Sequence, residues 1–211
     1  MDDELNRPIS MSGGSPSDDA HSDVTLLIQM ARGDQQALQQ LYARYRGPLW
    51  RYIWRLVNED AHLADEVTQD VFVAAWRQAA TFRAEATPAT WLFRIACHRA
   101  LNARRDLARR VEGHLWNDDA RDDERDHWPF AEGEPSHEDA VIERMALADA
   151  VDRLSAKHRE ALDLVFSYGF SLEETARVLD VPLGTIKSRL SYARRALQEH
   201  LSTAERLGDT R

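Results

Sequence analysis

The sequence predicts an all-α chain of two small helical domains joined by a flexible acidic linker, and three observations carry that expectation. Apolar residues recur at helical spacing through most of the chain, with cap-forming residues at the breaks. Nowhere does an alternating apolar and polar run bounded by turn signals ask for a strand. Between the two helical stretches lies a dense acidic run of about 25–30 residues, longer than a connection inside one compact domain usually is.

The elements follow in chain order. Residues 24–56 place Leu27 and Met30, then Leu38, Leu41, Tyr45, Leu49, Ile53 and Leu56, at helical spacing. Gly33-Asp34 breaks and recaps that pattern, so a short helix precedes a long one. Pro48 is expected to bend or divide the long helix, because proline removes a backbone donor and crowds the preceding turn. Asn58-Glu59-Asp60 supplies cap chemistry for a third helix over 61–80, with Leu63, Val67, Val71, Ala74 and Ala75 as its buried stripe and Trp76 closing it. Residues 81–87 are a polar break. Thr87-Pro88 then reads as an N-cap followed by proline at the first helical position, opening a fourth helix that runs to about Arg109. Beyond the acidic run come helices over 140–153, over 156–166 behind Ser155, over 172–179 behind Ser171, and over 186–200 behind Thr185. The last residues are expected to fray. The two halves differ in helix length and turn spacing, so no internal repeat is present.

With 211 residues, 43% hydrophobic content and six Trp, the chain can build buried cores. Its mean hydropathy is −0.55, and no apolar run approaches the ~18–20 residues of a membrane helix. The first residues are acidic and rich in Ser and Gly where a signal peptide is basic and then apolar, so a cytoplasmic location without membrane insertion is expected. Cys97 is the only cysteine, which excludes an intrachain disulfide and a Cys-rich zinc site. Cys97-His98 has no second cysteine to complete a metal set, and no nucleophile with a base or glycine-rich phosphate loop accompanies it. No metal, no cofactor, no catalytic residue and no enzymatic activity are therefore expected.

The formal net charge of −9 is unevenly distributed. Residues 1–23 carry −5 and residues 112–139 carry −9, which leaves +5 on the rest. The parts expected to fold are mildly basic, so an acidic pI near 5.4 does not exclude nucleic acid.

The strongest local signal spans 171–197. Ser171-x-x-Glu174 is a capping box opening a short helix. Asp180-Val181-Pro182-Leu183-Gly184 makes a tight turn, and Thr185 is placed to cap a second helix, which together describe a helix-turn-helix. At about 100° per residue, Ile186, Leu190, Ala193 and Leu197 fall on one narrow arc and form a core stripe. Lys187, Ser188, Ser191, Arg194 and Arg195 fall opposite, with Arg189 on their flank and no acid among them. Small hydroxyl residues beside Lys and Arg suit phosphates and base edges in a major groove. A solvated basic face without a ligand is the plainer alternative, and the register of capping box, turn and second helix weighs against it.

Two further regions carry charge in a pattern. Residues 83–110 hold Arg83, Arg94, Arg99, Arg104, Arg105, Arg109 and Arg110 against Glu85 and Asp106, with Phe82, Trp91 and Phe93 interleaved. That mixture suits single-stranded or melted nucleic acid, whose bases stack on rings while arginines follow the backbone. For Trp91 a place in the core is the alternative. Asp65, Glu66, Gln69 and Asp70 lie close together on the third helix, where Glu66 and Asp70 at i and i+4 repel. A basic partner protein would justify that cost; an ordinary solvated surface is the alternative.

In order and spacing these segments resemble the sigma-70 family, specifically its small two-domain extracytoplasmic-function group. ADEVTQDVFVAAWR resembles region 2.2, TFRAEATPATWLFRIACHRALNARR resembles regions 2.3 and 2.4, and residues 149–197 resemble region 4. The resemblance implies a sigma factor that binds core RNA polymerase, through the β′ coiled coil and regions of the β subunit, and directs promoter-specific initiation without being an enzyme. It implies core binding by Asp65, Glu66, Gln69 and Asp70. It implies contact with the −10 element, and assistance in melting it, by Phe82, Arg83, Trp91, Arg94, His98, Arg99, Asn102 and Arg105. It implies contact with the −35 element by Thr185, Lys187, Ser188, Arg189, Ser191, Arg194 and Arg195. An anti-sigma factor as a further partner is implied in the same way. The corresponding division is a disordered acidic tail over 1–23, a region 2 domain over 24–109, the linker over 110–138, a region 4 domain over 139–200 and a tail over 201–211. Cys97-His98 departs from the Arg-Asn common in the family, so His98 either takes over a DNA contact or packs. A polymerase-independent helix-turn-helix regulator with a sensory N-terminal domain is the competing function, but such a sensor requires neither the arginine-rich helix nor the acidic face.

Overall fold

The computed structural model describes residues 16–112, 147, 148 and 150–208, with side chains described over 22–109, 147, 148 and 150–200. All regular structure among the described residues is helical, and the chain divides into two compact units.

The first unit is built from α1 (Pro16–Ala31), α2 (Gln35–Leu56), α3 (Ala61–Gln78) and α4 (Pro88–Glu112). Gly33, at φ +89°, supplies the left-handed step between α1 and α2. Asp34 then caps α2 by accepting from the backbone N–H groups of Gln36 at 2.8 Å and Ala37 at 3.3 Å. The far end of α2 closes through Asn58 and Glu59, both left-handed, with the Glu59 N–H donating to the Trp54 carbonyl at 2.8 Å. The Trp54 indole N–H donates back to the Glu59 carbonyl at 2.7 Å, which fixes the turn. Asp60 caps α3 by accepting from the Leu63 N–H at 3.0 Å. Thr87 caps α4 by accepting from the Thr90 N–H at 3.2 Å, with Pro88 at the first helical position as expected.

α2, α3 and α4 pack on one another, and α1 covers them. Leu27, Met30, Leu41, Leu49, Tyr52, Ile53, Val71 and Leu92 are almost wholly buried. Each such large apolar side chain contributes about 1.5–3 kcal/mol on leaving water. Ring contacts join the helices: Tyr42 meets Phe72 at 4.8 Å between centroids, and Tyr52 meets Phe93 at 5.2 Å.

Several boundaries differ from the sequence expectation, each for a local reason. α1 begins at Pro16 rather than near Val24, since its first turns are polar and apolar periodicity is silent there; Pro16, Asp18 and Asp19 are themselves helix-start residues. Asp23, counted by charge among the acids of the tail, is buried, accepts from the Tyr45 hydroxyl at 2.5 Å and pairs with Arg44. Pro48 does not divide α2, which runs unbroken through it. The α3 stripe is wider than expected: Val67, Val71, Ala74 and Ala75 are buried as the spacing predicts, Ala64, Thr68 and Phe72 join them, and Leu63 is only half-buried. Thr68 is tolerated there because its hydroxyl donates to the Ala64 carbonyl at 2.7 Å. α3 tightens into a 3₁₀ turn at Ala79–Thr81, and α4 continues to Glu112, past the expected end near Arg109. The rest of the expected linker and the first part of the helix expected over 140–153 lie outside the described residues, as do residues 1–15 of the expected tail.

The second unit contains helical residues ending at Asp152, then α5 (Ala156–Leu162), α6 (Leu172–Leu179) and α7 (Leu183–Gly208). Leu154, Ala161, Leu164, Phe170, Ile186 and Ala193 form its core. α5 packs on α7. Arg159 on α5 is 8% exposed and reaches Asp152 at 4.0 Å. The helix expected over 156–166 ends as α-helix at Leu162 and widens into a π-type turn over Asp163–Ser167, which keeps Leu164 in the core and turns Phe166 outward, 77% exposed.

The capping box is formed as the sequence predicts. The Glu174 N–H donates to Ser171 Oγ at 3.1 Å, and the Ser171 N–H donates to the Glu174 carboxylate at 3.0 Å. Thr185 does not cap the next helix. α7 already begins at Leu183, and the Pro182 carbonyl accepts from the Thr185 N–H at 2.9 Å, which puts Thr185 inside the first turn. Proline lacks only the donor, so it can stand before a helix and still offer its carbonyl to the first turn. α7 also extends to Gly208, beyond residue 200 where the helix was expected to end.

Candidate nucleic-acid and protein interfaces

The helix-turn-helix is assembled by α6, a turn through the left-handed Asp180 at φ 53°, and α7. On α7, Ile186 and Ala193 are fully buried, and Leu190 and Leu197 are half-buried beside them. That stripe fixes the opposite face outward: Lys187, Ser188, Ser191, Arg194 and Arg195 are all exposed, and Arg189 and Thr185 are half-buried at its margins. Ser188 donates to the Thr185 carbonyl at 2.9 Å, leaving its oxygen available as an acceptor. Two guanidinium groups, one ammonium and two hydroxyls on one helical face can bind phosphates and base edges together. Tyr192 lies at the edge of that face, 48% exposed, and was not among the residues the sequence singled out. Its angular position, between Ser188 and Arg189 at the edge of the exposed arc, was the available signal.

On α4 the residues Trp91, Arg94, His98, Asn102 and Arg105 fall within an arc of about 80°. Arg94, His98, Asn102 and Arg105 are exposed along it. His98 therefore does not pack into the core. Trp91 is half-buried and meets Phe82 edge to face, with centroids 5.5 Å apart, at the start of the helix. Arg83 is exposed in the preceding loop, whose turn is held by the Glu85 N–H donating to the Arg83 carbonyl at 2.6 Å. Thr87 and Thr90 hydroxyls lie 2.8 Å apart and rivet that loop to the helix. Arg99 stands apart from the stripe. It reaches α3, where it pairs with Asp70 at 3.6 Å. Phe93, one of the rings interleaved with the arginines, is 2% exposed against Tyr52 and belongs to the core.

On α3, Asp65, Glu66, Gln69 and Asp70 are all exposed, opposite the buried Ala64, Val67, Thr68 and Val71. Val73 continues the face, 47% exposed. The face thus joins carboxylates to an apolar rim, a surface suited to a basic protein partner. Cys97 is buried and in no disulfide, and no cluster of His, Cys, Asp or Glu among the described residues could hold a metal. No helix among the described residues is long and apolar enough to cross a membrane.

A two-unit helical protein with a helix-turn-helix in one unit and an arginine-rich helix beside an acidic face in the other has an architecture that suits a DNA-binding regulator of transcription. The family model for sigma-70 region 2 matches residues 41–110, and that for sigma-70 region 4 matches residues 150–199. Among curated proteins, the chain is 33% identical over 183 residues to the ECF RNA polymerase sigma factor SigL of Mycobacterium tuberculosis, covering 86% of this chain and 96% of that one. It is 35% identical over 176 residues to SigM of the same species, covering 83% of each, and 32% identical over 189 residues to the RNA polymerase sigma-H factor of Pseudomonas aeruginosa, covering 85% of this chain and 93% of that one. Among solved structures, CnrH in complex with the cytosolic domain of CnrY is similar with a TM-score of 0.56 at 28% identity, covering 86% of this chain and 98% of that one. The sigma factor RpoE of Bartonella quintana, solved with the anti-sigma factor NepR, is similar with a TM-score of 0.55 at 28% identity, covering 78% of this chain and 96% of that one. The chain belongs to the extracytoplasmic-function group of the sigma-70 family.

Proposed function

We propose that the chain, as a sigma factor, brings core RNA polymerase to promoters through three surfaces with separate tasks. The α3 face of Asp65, Glu66, Gln69 and Asp70 docks on the β′ coiled coil. Phe82, Arg83 and the α4 stripe of Trp91, Arg94, His98, Asn102 and Arg105 receive the −10 element as it melts, with Arg99 held at the border of the two surfaces. The α7 face of Thr185, Lys187, Ser188, Arg189, Ser191, Arg194 and Arg195 enters the major groove at the −35 element. Catalysis belongs to the polymerase and not to this chain, and the site of action is the cytoplasm. The similar RpoE was solved with an anti-sigma factor, which supports restraint of this chain by a protein of that kind.

The observation that carries this reading is the exposed face of α7, cationic and donor-rich over a buried Ile186 and Ala193. Transcription by the chain with purified core polymerase on a promoter library tests it. Arg194→Ala and Arg195→Ala should each relax preference within the −35 element at a cost of about 1–3 kcal/mol for a base-reading arginine, whereas Lys187→Ala should weaken binding nearly uniformly across sequences. Unchanged promoter choice and yield in both arginine variants would refute the role of α7. Tight promoter binding by the chain without polymerase would favour the polymerase-independent regulator instead.

A further inference from the structure

Tyr192 has a partner on another helix. Its ring stacks on the imidazole of His158 on α5, with centroids 4.4 Å apart and planes within 19°. His158 Nδ1 lies 2.7 Å from Ser155 Oγ, and the His158 N–H donates to the Ser155 carbonyl at 2.9 Å. The residue that opens α5 thus holds both the backbone and the ring of His158. On the other side, one turn along α7, the Arg195 guanidinium carbon lies 5.6 Å from the Tyr192 ring centroid, within cation–π range. Ser155, His158, Tyr192 and Arg195 form a continuous chain from the start of α5 to the exposed face of α7.

Core packing does not require this arrangement. Tyr192 is 48% exposed, and the burial of α7 is supplied by Ile186 and Ala193. A ring fixed on one face by a tethered imidazole offers a defined π surface to the arginine that follows it. A guanidinium lying on that surface keeps its in-plane N–H donors free for a base edge and loses fewer rotamers when it binds.

We propose that His158, outside the recognition helix, is a positioning residue for promoter readout: through Tyr192 it sets the direction in which Arg195 approaches the −35 base pairs. The inference rests on the assignment of the α7 face to the −35 element and adds a determinant of its specificity on a different helix.

The test uses holoenzyme reconstituted from the full chain and core polymerase, transcribing promoters randomised across the upstream element, with transcripts counted by sequencing. Arg195→Ala first identifies the base pairs whose preference depends on that arginine. His158→Ala is expected to lower discrimination at those same base pairs by about two- to fivefold, the size an exposed cation–π contact supports, and to leave the other positions unaltered. His158→Phe retains a stacking ring and should keep most of the preference. Tyr192→Leu, at an exposed position that the fold does not need, should reproduce the His158→Ala pattern, and the double variant should add nothing to it. A His158→Ala holoenzyme with unchanged preference, or with yield reduced evenly over all sequences, overturns the proposal while leaving the −35 assignment standing. A wild-type holoenzyme indifferent to the randomised element removes that assignment and this inference with it.

Discussion

Asp70 on α3 and Arg99 on α4 meet at 3.6 Å, so the acidic face proposed for the polymerase and the arginine-rich helix proposed for the −10 element share an ion pair. Both side chains remain well exposed, 59% for Asp70 and 42% for Arg99, and water screens them. The pair is therefore worth about 0–1 kcal/mol, too little to hold α3 against α4 but enough to bias where either side chain points. A cation of the partner that takes Asp70 releases Arg99, and a phosphate that takes Arg99 releases Asp70. By linkage, each binding event then favours the other by the same factor.

Removing the arginine exposes that coupling. Arg99→Ala leaves Asp70 available, so affinity for core polymerase is expected to hold or to rise by up to about fivefold, the most a surface pair of this kind supports. Promoter opening by the same holoenzyme should fall. Fluorescence anisotropy of the labelled chain against core polymerase measures the first effect; a tenfold loss of core affinity would show that Arg99 serves the polymerase interface directly.

Reversing charge on the acidic face should act in the opposite sense. Asp65→Lys with Asp70→Lys places two ammonium groups where a basic partner is expected, and co-purification with core polymerase should drop by about tenfold or more. Both positions are exposed on α3, so helicity by circular dichroism should stay as it is. Undiminished co-purification would remove the face from the polymerase interface.

Much of this architecture was legible because short-range chemistry and tertiary packing agree. Asp34, Asp60, Thr87 and the Ser171–Glu174 box all cap the helices their positions suggest. The α7 stripe of Ile186 and Ala193 faces inward as its spacing requires. Where the expectation fell short, the missing information was long-range. Nothing local to Asp23 says that Arg44 and Tyr45 will receive it, so an acid in a polar stretch read as tail. Phe93 is an exception, because its local signal was present in the sequence: it shares a helical stripe with Ala96, Cys97 and Ala100, away from Arg94, Arg99 and Arg105, and its ring meets Tyr52. The Thr185 cap failed for a different reason: Thr is the better cap by side chain, but the helix had already started two residues earlier, where the Pro182 carbonyl serves. His158 and Tyr192, 34 positions apart in the chain, meet only because α5 packs on α7.

The buried carboxylate at Asp23 is expected to be a stability determinant of the first unit. Asp23→Ala leaves the Tyr45 hydroxyl, in a residue 7% exposed, without that acceptor, while Arg44 can turn to water. Loss of a buried acceptor costs up to about 1–3 kcal/mol, which in a unit of this size lowers the midpoint by about 4–8 °C for each kcal/mol. Thermal unfolding followed by circular dichroism measures it, and pairing Asp23→Ala with Tyr45→Phe should recover part of the loss by removing the hydroxyl that Asp23 no longer accepts from. A midpoint shifted by less than a degree would show that the carboxylate does not tie α1 to α2.

Trp91 distinguishes a packing role from a role in strand separation. Its ring is half-buried and edge-on to Phe82, a geometry that holds the indole in place while leaving part of it open at the loop where Arg83 is exposed. A ring so placed can stack on an unpaired base, a contact worth about 1–3 kcal/mol by alanine substitution, and that contact exists only once the duplex has opened. Trp91→Ala holoenzyme should therefore lose about tenfold or more in open-complex formation on duplex promoter. On a template with the −10 region already unpaired, the energetic cost of opening is removed and transcript yield should recover to within about threefold of wild type. Permanganate footprinting of unpaired thymines and transcript counts on the two templates give both quantities. Equal loss on duplex and pre-melted templates, together with a lower unfolding midpoint, would assign Trp91 to the core of the first unit and leave strand separation to Phe82, Arg83 and the α4 arginines.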